Sequence, residues 1–103
     1  MTAANEKRNK LVENNLGLVH SCANRFRGRG TEYDDLFQAG CVGLIKAADN
    51  FDESRGFSFS TYAVPVILGE IRRIFRDGVA LFRLAFTTAR EIIFLNLARD
   101  GNS

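Results

Sequence analysis

The sequence has no tryptophan, one proline, one histidine and two cysteines in 103 residues. Cys22 and Cys41 do not form a CxxC pair, and His20 has no second histidine near it, so the spacing of a metal site is missing. Long apolar runs are also missing, because no stretch approaches the roughly 18 to 20 residues that a membrane helix needs. We therefore expect reduced thiols, no metal or cofactor, and a cytoplasmic protein without membrane contact.

What the sequence does contain is typical of one globular domain. Hydrophobic residues make up 46% and charged residues 25% of the chain, which is the balance of an ordinary folded protein. Apolar residues recur at spacings of three and four, and the alternation typical of strands is absent. The sequence therefore predicts an all-α fold, a single compact helical domain of about four helices.

The helix signals give approximate boundaries for these four segments. Thr31 is the predicted N-cap of the second helix. Gly17 is expected to break or bend the first helix, and Pro65 is expected to bend the third. The fourth helix is apolar around more of its circumference than a surface helix allows, so self-association or another outside contact is expected there. The predicted helices span about residues 5–26, 33–50, 60–76 and 80–99.

Charge is segregated along the chain into three blocks. Residues 1–30 carry six Lys or Arg and two Glu, a net charge of +4, whereas residues 31–54 carry a net charge of −5. Residues 55–103 return to +3. This pattern favours a basic face for phosphates and an acidic face for a basic protein partner. Solvated helix surface remains the alternative.

The segment GFSFSTY, residues 56–62, alternates aromatic residues with small hydroxyl residues and follows Arg55. A flat ring stacks on an unpaired base for about 1 to 3 kcal/mol, and nearby arginines neutralise phosphates. Phe57 and Phe59 could equally fill the core. Tyr62 is the stronger candidate for nucleic acid, because its hydroxyl is harder to bury without a partner.

Three strings in continuous register carry a specific resemblance. DLFQAGCVGLIKAADNFD (35–52) and RGFSFSTYAVPVILGEIRRIFRDG (55–78) resemble the polymerase-binding and promoter-melting motifs of bacterial RNA polymerase sigma factors, region 2. LVENNLGLVHSCANRF (11–26) resembles the preceding helix of that domain. The sequence AVPVILGEIRR is similar to that of sporulation-type members.

The resemblance divides the chain in two. Residues 1–78 are expected to form a sigma region 2-like helical domain. Residues 79–103 are expected to form an apolar C-terminal helix, a candidate for the start of region 3. On this interpretation the chain is truncated after region 2.

The resemblance implies a sigma factor domain that binds core RNA polymerase and melts the minus-10 promoter element by capturing non-template single-strand bases. In the family an acidic helix docks on the coiled coil of the polymerase beta-prime subunit, in agreement with the negative block counted above. Two of the implied contact residues also fall on the apolar stripe of their helix and could belong to the core. The implied polymerase contacts are Asp35, Gln38, Ala39, Cys41 and Ile45.

The family also captures a flipped base, and the resemblance implies that Tyr62 stacks on it. Arg72 is the implied reader of the upstream base pair, since Gly69 stands where primary factors have a base-reading glutamine. Pro65 and Val66 replace a tryptophan pair of the primary factors. The single-strand path is implied for Phe57, Phe59, Ser60 and Thr61, and phosphate contacts for Arg55, Arg73 and Arg76.

Other functions are left open by the sequence. A truncated sigma-like module could bind polymerase or an anti-sigma partner without reading DNA. A generic helix-turn-helix protein fits less well, because the aromatic run suits single strands better than a major groove. An enzyme is not expected, since no nucleophile with a nearby base, carboxylate pair or Gly-rich phosphate loop is visible.

Overall fold

The computed structural model describes residues 3–81, with side chains from residue 6 onward. This part of the chain is helical and contains no strand, which confirms the all-α prediction. The predicted apolar helix at 80–99 lies almost wholly outside the described residues. None of the described helices is long and apolar enough to cross a membrane. The α-helices are α1 (Ala3–Asn14), α2 (Leu16–Asn24), α3 (Tyr33–Asn50) and α4 (Phe59–Asp77), with a short 3-10 helix at Glu53–Arg55.

The predicted first helix is broken in two, but the break lies at Asn15 rather than at Gly17. The Asn15 side-chain amide donates to the carbonyl oxygen of Leu11 at 2.8 Å, and its backbone N–H donates to Val12 at 3.2 Å. An asparagine side chain that bonds to the backbone in this way competes with the regular helical pattern. Gly17 lies within α2 instead.

The predicted bounds of α3 hold, but the predicted cap does not. Glu32, not Thr31, occupies the N-cap position, and its side chain makes no capping hydrogen bond. Asp34 and Asp35 lie in the first turn, where negative charge interacts favourably with the helix dipole. In α4 the helix runs without interruption through Pro65, although proline lacks the N–H that would bond to Thr61.

The core is organised around α3, which contacts α1, α2 and α4. Two glycines on one face of α3 allow the closest approaches. A Cβ atom added at Gly43 would lie 2.7 Å from Cα of Ile67, and one added at Gly40 would lie 2.8 Å from Cγ1 of Val19. The backbones of α3 and α4 are therefore in direct contact at Gly43, because there is no room for even a methyl group.

An ion pair lies beside this contact and joins the same two helices. Lys46 Nζ of α3 is 2.6 Å from Oε1 of Glu70 in α4, and Arg73 NH1 is 3.5 Å from the same oxygen. Glu70 is only 8% exposed. The two cations therefore compensate a carboxylate that would otherwise be costly to bury.

Both cysteines are buried as free thiols, and burial raises the pKa of Cys22. Among the described residues there is no group of three or more His, Cys, Asp or Glu side chains that could hold a metal ion.

The glycine contact predicts a sharp contrast between two Gly→Ala substitutions. Gly43→Ala forces the two backbones apart and should lower the free energy of unfolding by about 1–3 kcal/mol. Gly69→Ala is the matched control, because Gly69 is an exposed position of α4 with no atom within 4 Å of the place that an added methyl group would take. That change should raise stability by about 0.5–1 kcal/mol through helix propensity. Urea denaturation followed by circular dichroism measures both, and equal effects would contradict the backbone contact.

Candidate nucleic-acid interface

The segment between α3 and α4 is held in a defined shape by Asp52. Its Oδ1 atom accepts hydrogen bonds from the backbone N–H of Ser54 at 3.0 Å and from the Ser54 hydroxyl at 2.7 Å. Gly56 then adopts φ +85°, a left-handed conformation that favours glycine. This reversal after Arg55 sends the chain towards α4 and brings Phe57 beside the start of that helix.

Four aromatic rings meet at this point, and they have different exposures. Phe51 packs edge-to-face on Phe59 with centroids 5.2 Å apart, and it also contacts Tyr62 at 6.0 Å. Phe57 lies nearly parallel to Tyr62, with centroids 6.4 Å apart and an interplanar angle of 23°. Phe59 is 9% exposed and Phe57 is 43% exposed. Phe59 is therefore the innermost ring, and Phe57 and Tyr62 form the outer pair. Phe57 is the most exposed of the four, while Tyr62 is partly buried, as is Phe51.

A cavity of about 350 Å³ opens beside this outer pair, lined by Asn50, Asp52, Arg55, Phe57 and Tyr62. Its volume is near the lower end of the roughly 300–1,000 Å³ typical of small-ligand sites. The wall offers two aromatic faces together with an amide, a carboxylate and a guanidinium group. Flat faces with hydrogen-bonding groups at their edge suit an unpaired nucleobase.

The polar groups of this cavity have defined roles. Hydrogen bonds from the Ser54 hydroxyl and backbone N–H lower the pKa of Asp52, so its carboxylate is ionised and accepts hydrogen bonds at neutral pH. Its Oδ2 atom lies 3.8 Å from Nε of Arg55. The Asn50 amide nitrogen donates to the Lys46 carbonyl at 2.9 Å, so its oxygen is the group left to accept from a ligand.

The start of α4 adds a polar rim. Ser58 is the N-cap, and its hydroxyl oxygen accepts from the Thr61 backbone N–H at 3.3 Å. The Ser58 hydroxyl also lies 2.9 Å from the Thr61 hydroxyl and 3.2 Å from that of Ser60. All three side chains are exposed. A helix N-terminus with exposed hydroxyls suits contact with a sugar-phosphate backbone.

The arginines further along α4 are exposed, but they differ in their partners. Arg73 is paired with Glu70, as described above. Arg76 donates two hydrogen bonds to Asp77, at 2.9 and 3.0 Å, and this contact lowers the pKa of the Asp77 carboxyl. Arg72 forms no ion pair with any residue in the described part of the chain. Its guanidinium group is therefore the most available of the three.

A comparison with protein families identifies the family of this domain. The profile described as Sigma-70 region 2 matches residues 11–79, about two thirds of the chain. The chain belongs to the sigma-70 region 2 family. The matched segment contains the whole of the cavity described above.

Individual relatives agree with this assignment. The RNA polymerase sigma-G factor of Bacillus subtilis is 61% identical over 71 residues, which are 69% of this chain and 27% of the relative. The sigma-G factor of Clostridium acetobutylicum is 60% identical over 71 residues, 69% of this chain and 28% of the relative. The sigma-F factor of B. subtilis is 54% identical over 72 residues, 70% of this chain and 28% of the relative. The prediction of a sporulation-type member is confirmed, although the chain spans little more than a quarter of these three proteins.

Most of the residues predicted to line the single-strand path lie close together in this region 2 domain. Phe57, Ser60, Thr61 and Tyr62 border the cavity or its rim, whereas Phe59 is buried, which argues against direct contact with a base. Asn50 and Asp52 line the cavity and were missed by the sequence reasoning. Asp52 had a signal in the Asp-x-Ser spacing of an Asx turn, whereas Asn50 had none.

The residues predicted to contact polymerase are placed mostly inside the domain. Ala39, Cys41 and Ile45 are at most 4% exposed, and Asp35 is 7% exposed. The reason is that α3 is buried over most of its circumference. This burial argues against direct contact through the three apolar side chains. Gln38 is partly exposed and remains accessible.

The different positions of the two phenylalanines can be tested by their effect on stability. Phe59→Ala should lower the free energy of unfolding by about 3–5 kcal/mol, because it empties a site in the core. Phe57→Ala should change it by no more than about 0.5 kcal/mol, because the residue is 43% exposed and lies outside the core. Chemical denaturation of both variants provides the comparison. Equal losses would contradict the placement of Phe57 on the surface.

Proposed function

We propose that this domain binds core RNA polymerase and recognises and melts the minus-10 promoter element by capturing unpaired non-template bases. The observation that carries the proposal is the cavity lined by Phe57 and Tyr62, in a chain of the sigma-70 region 2 family. The role is one of binding and positioning rather than catalysis. It is exercised in the cytoplasm, where the polymerase is found.

Capture follows from the chemistry of the cavity. A base that leaves the duplex loses its stacking partners. Stacking on the outer ring pair replaces them and contributes about 1–3 kcal/mol of binding free energy per base. The ionised Asp52 carboxylate and the Asn50 amide oxygen accept hydrogen bonds from the base edge. Arg55 supplies positive charge next to the adjoining phosphate. Captured bases cannot re-pair, so this binding favours the melted state.

The other residues of α4 contact the phosphates and the adjoining duplex in this proposal. Ser60 and Thr61 contact the sugar-phosphate backbone at the start of the helix. Arg72 reads the upstream base pair, since its guanidinium is free to form a bidentate contact with a guanine. Arg73 and Arg76 contribute to the phosphate potential, although Glu70 and Asp77 partly neutralise them.

Docking to polymerase is proposed for the beginning of α3. Glu32 and Asp34 are exposed there, and Gln38 is partly exposed one turn further on. This acidic surface is complementary to a basic partner such as the beta-prime coiled coil. An anti-sigma protein is a candidate competitor for it. A module that only binds polymerase is less well supported, because it would not require the cavity.

Base capture predicts that Tyr62→Ala weakens binding of minus-10 non-template single strand by a complex of this chain with core polymerase. The expected loss is about 1–3 kcal/mol, because the stacking face is removed. Tyr62→Phe is the matched control and should retain most of the affinity, since it keeps the ring. Fluorescence anisotropy with a labelled oligonucleotide measures both, and circular dichroism checks the fold. Normal affinity of a folded Tyr62→Ala variant would exclude base stacking at this position.

Docking predicts that Gln38→Arg weakens binding to core polymerase at least about tenfold, because it introduces a positive charge opposite a basic surface. Lys10→Ala, an exposed change on α1, should leave binding unchanged. Titration of labelled chain with core enzyme gives the two dissociation constants. An unaltered constant for a folded Gln38→Arg variant would remove this surface from the interface.

A further inference from the structure

The N-terminal helix α1 contacts the segment that leads from α3 into the base cavity. Arg8 Nη1 lies 3.2 Å from Oδ1 of Asp49, which belongs to the last turn of α3. Lys7 Nζ, one residue earlier in α1, lies 3.0 Å from Oε1 of Glu53 in the 3-10 helix. The two ion pairs therefore flank, along the chain, the residues with which the end of α3 lines the cavity.

The two ion pairs differ in burial. The Arg8 side chain is only 10% exposed and that of Asp49 is 38% exposed, whereas the side chains of Lys7 and Glu53 are both 65% exposed. An exposed pair contributes little, because water and salt screen it. Removal of one partner from a pair that is partly shielded from water costs more, because the other charge loses its compensation. The contact between Arg8 and Asp49 is therefore the stronger link between α1 and the cavity segment.

The negative charge of Asp49 stands at an unfavourable position of its helix. The last turn of α3 contains this carboxylate and no basic residue. The C-terminal end of a helix carries partial negative charge, so a cation stabilises it and an anion does not. The Arg8 guanidinium brings a positive charge to this turn from another helix. Val12, one turn further along α1, is 2% exposed and anchors that helix in the core.

The shape of the cavity wall depends on this last turn of α3. Asn50 is the final residue of the helix, and its side-chain amide donates to the Lys46 carbonyl one turn earlier at 2.9 Å. Phe51 then leaves the helix in an extended conformation, with φ −71° and ψ 133°, and packs on Phe59. Asp52 follows directly and forms the turn with Ser54 described above. Fraying of the last turn of α3 would therefore displace several parts of the wall together.

We propose that Arg8 is a positioning residue for base capture, which holds the last turn of α3 through Asp49 and thereby keeps Asn50 and Asp52 in the cavity wall. The inference rests on the proposed function. Arg8 acts through α3, because the residues that line the cavity come from the end of α3, the 3-10 helix and the start of α4. When the last turn is frayed, the cavity is not competent, and the apparent affinity falls with the fraction of competent molecules.

The proposed docking surface lies too far along α3 to share this effect. Gln38 and Asp49 are separated by 11 positions of one helix, or about 16 Å at 1.5 Å per residue. Charges at the protein surface are largely screened from each other beyond a Debye length of roughly 8–10 Å. Loss of Arg8 should therefore weaken base capture and leave polymerase docking intact.

The test uses the full chain bound to core polymerase and a labelled minus-10 non-template single strand. Arg8→Gln should weaken binding of the strand about fivefold, because it leaves the Asp49 charge at the negative end of α3. The dissociation constant for core polymerase should not change. Lys10→Gln is the matched control, since it removes the same charge from an exposed position of α1 and should alter neither constant.

A second substitution separates positioning by charge from simple packing of the Arg8 side chain. Asp49→Asn removes the charge that Arg8 compensates, so the double variant Arg8→Gln/Asp49→Asn should bind the strand within about twofold of the unaltered chain. The inference is overturned if the double variant binds as weakly as Arg8→Gln, if Arg8→Gln keeps full affinity, or if polymerase binding falls in parallel. If Arg8→Gln does not fold, a folded double variant with normal affinity supports the inference, and an unfolded one overturns it.

Amide hydrogen exchange of the full chain gives a measurement that does not depend on DNA. Arg8→Gln should raise exchange of the amides at residues 50–54 relative to those at 33–38, and the double variant should restore it. Unchanged exchange at 50–54 in Arg8→Gln would contradict the inference alone. Failure of the unaltered chain to bind the single strand with polymerase would instead contradict the proposed function.

Discussion

The close approach of α3 and α4 at Gly43 is the constraint on which the rest of the domain depends. At Gly43 the backbone of α3 lies almost in contact with the backbone of α4 at Ile67. This contact fixes the distance between the two helix axes, and larger residues on either side fill the space around it. That separation determines where the end of α3 lies relative to the start of α4. The eight residues between the helices must close this short gap, and the Asp52 turn and Gly56 are what allow them to do so.

The different exposures of the aromatic rings follow from the same close approach of α3 and α4. Phe59 faces the core because it is the first residue of α4 and lies against Phe51 at the end of α3. Phe57, which precedes the helix, cannot reach the core and stacks on Tyr62 instead. Ion pairing divides the arginines in a similar way. The buried Glu70 carboxylate holds Arg73, while Arg72, on the outer side of the helix, is left for a ligand.

The sequence was sufficient for those features that depend on local pattern, such as the bounds of α3 and α4. It was insufficient wherever a side chain acts through its neighbours. The Asn15 break depends on a hydrogen bond to Leu11, which helix propensity does not reveal. The roles of Phe57 and Phe59 were indistinguishable because alternation along the chain does not say which ring meets Phe51. The burial of Ala39, Cys41 and Ile45 likewise depends on how completely other parts of the chain surround α3.

The cavity by itself is a weak binder, because stacking contributes only about 1–3 kcal/mol per base and a free duplex must be opened first. The domain therefore depends on contacts that raise the effective concentration of the melted strand. Under the proposed function, polymerase docking supplies one such contact, since it turns base capture into an intramolecular event. The proposed contact of Arg72 with the adjoining duplex would supply another. A single rigid helix carries both DNA contacts, so the distance from duplex to captured base is set by the helix rather than by a flexible linker. Because this distance is fixed, phosphate contacts without sequence preference can still help to place one particular base in the cavity.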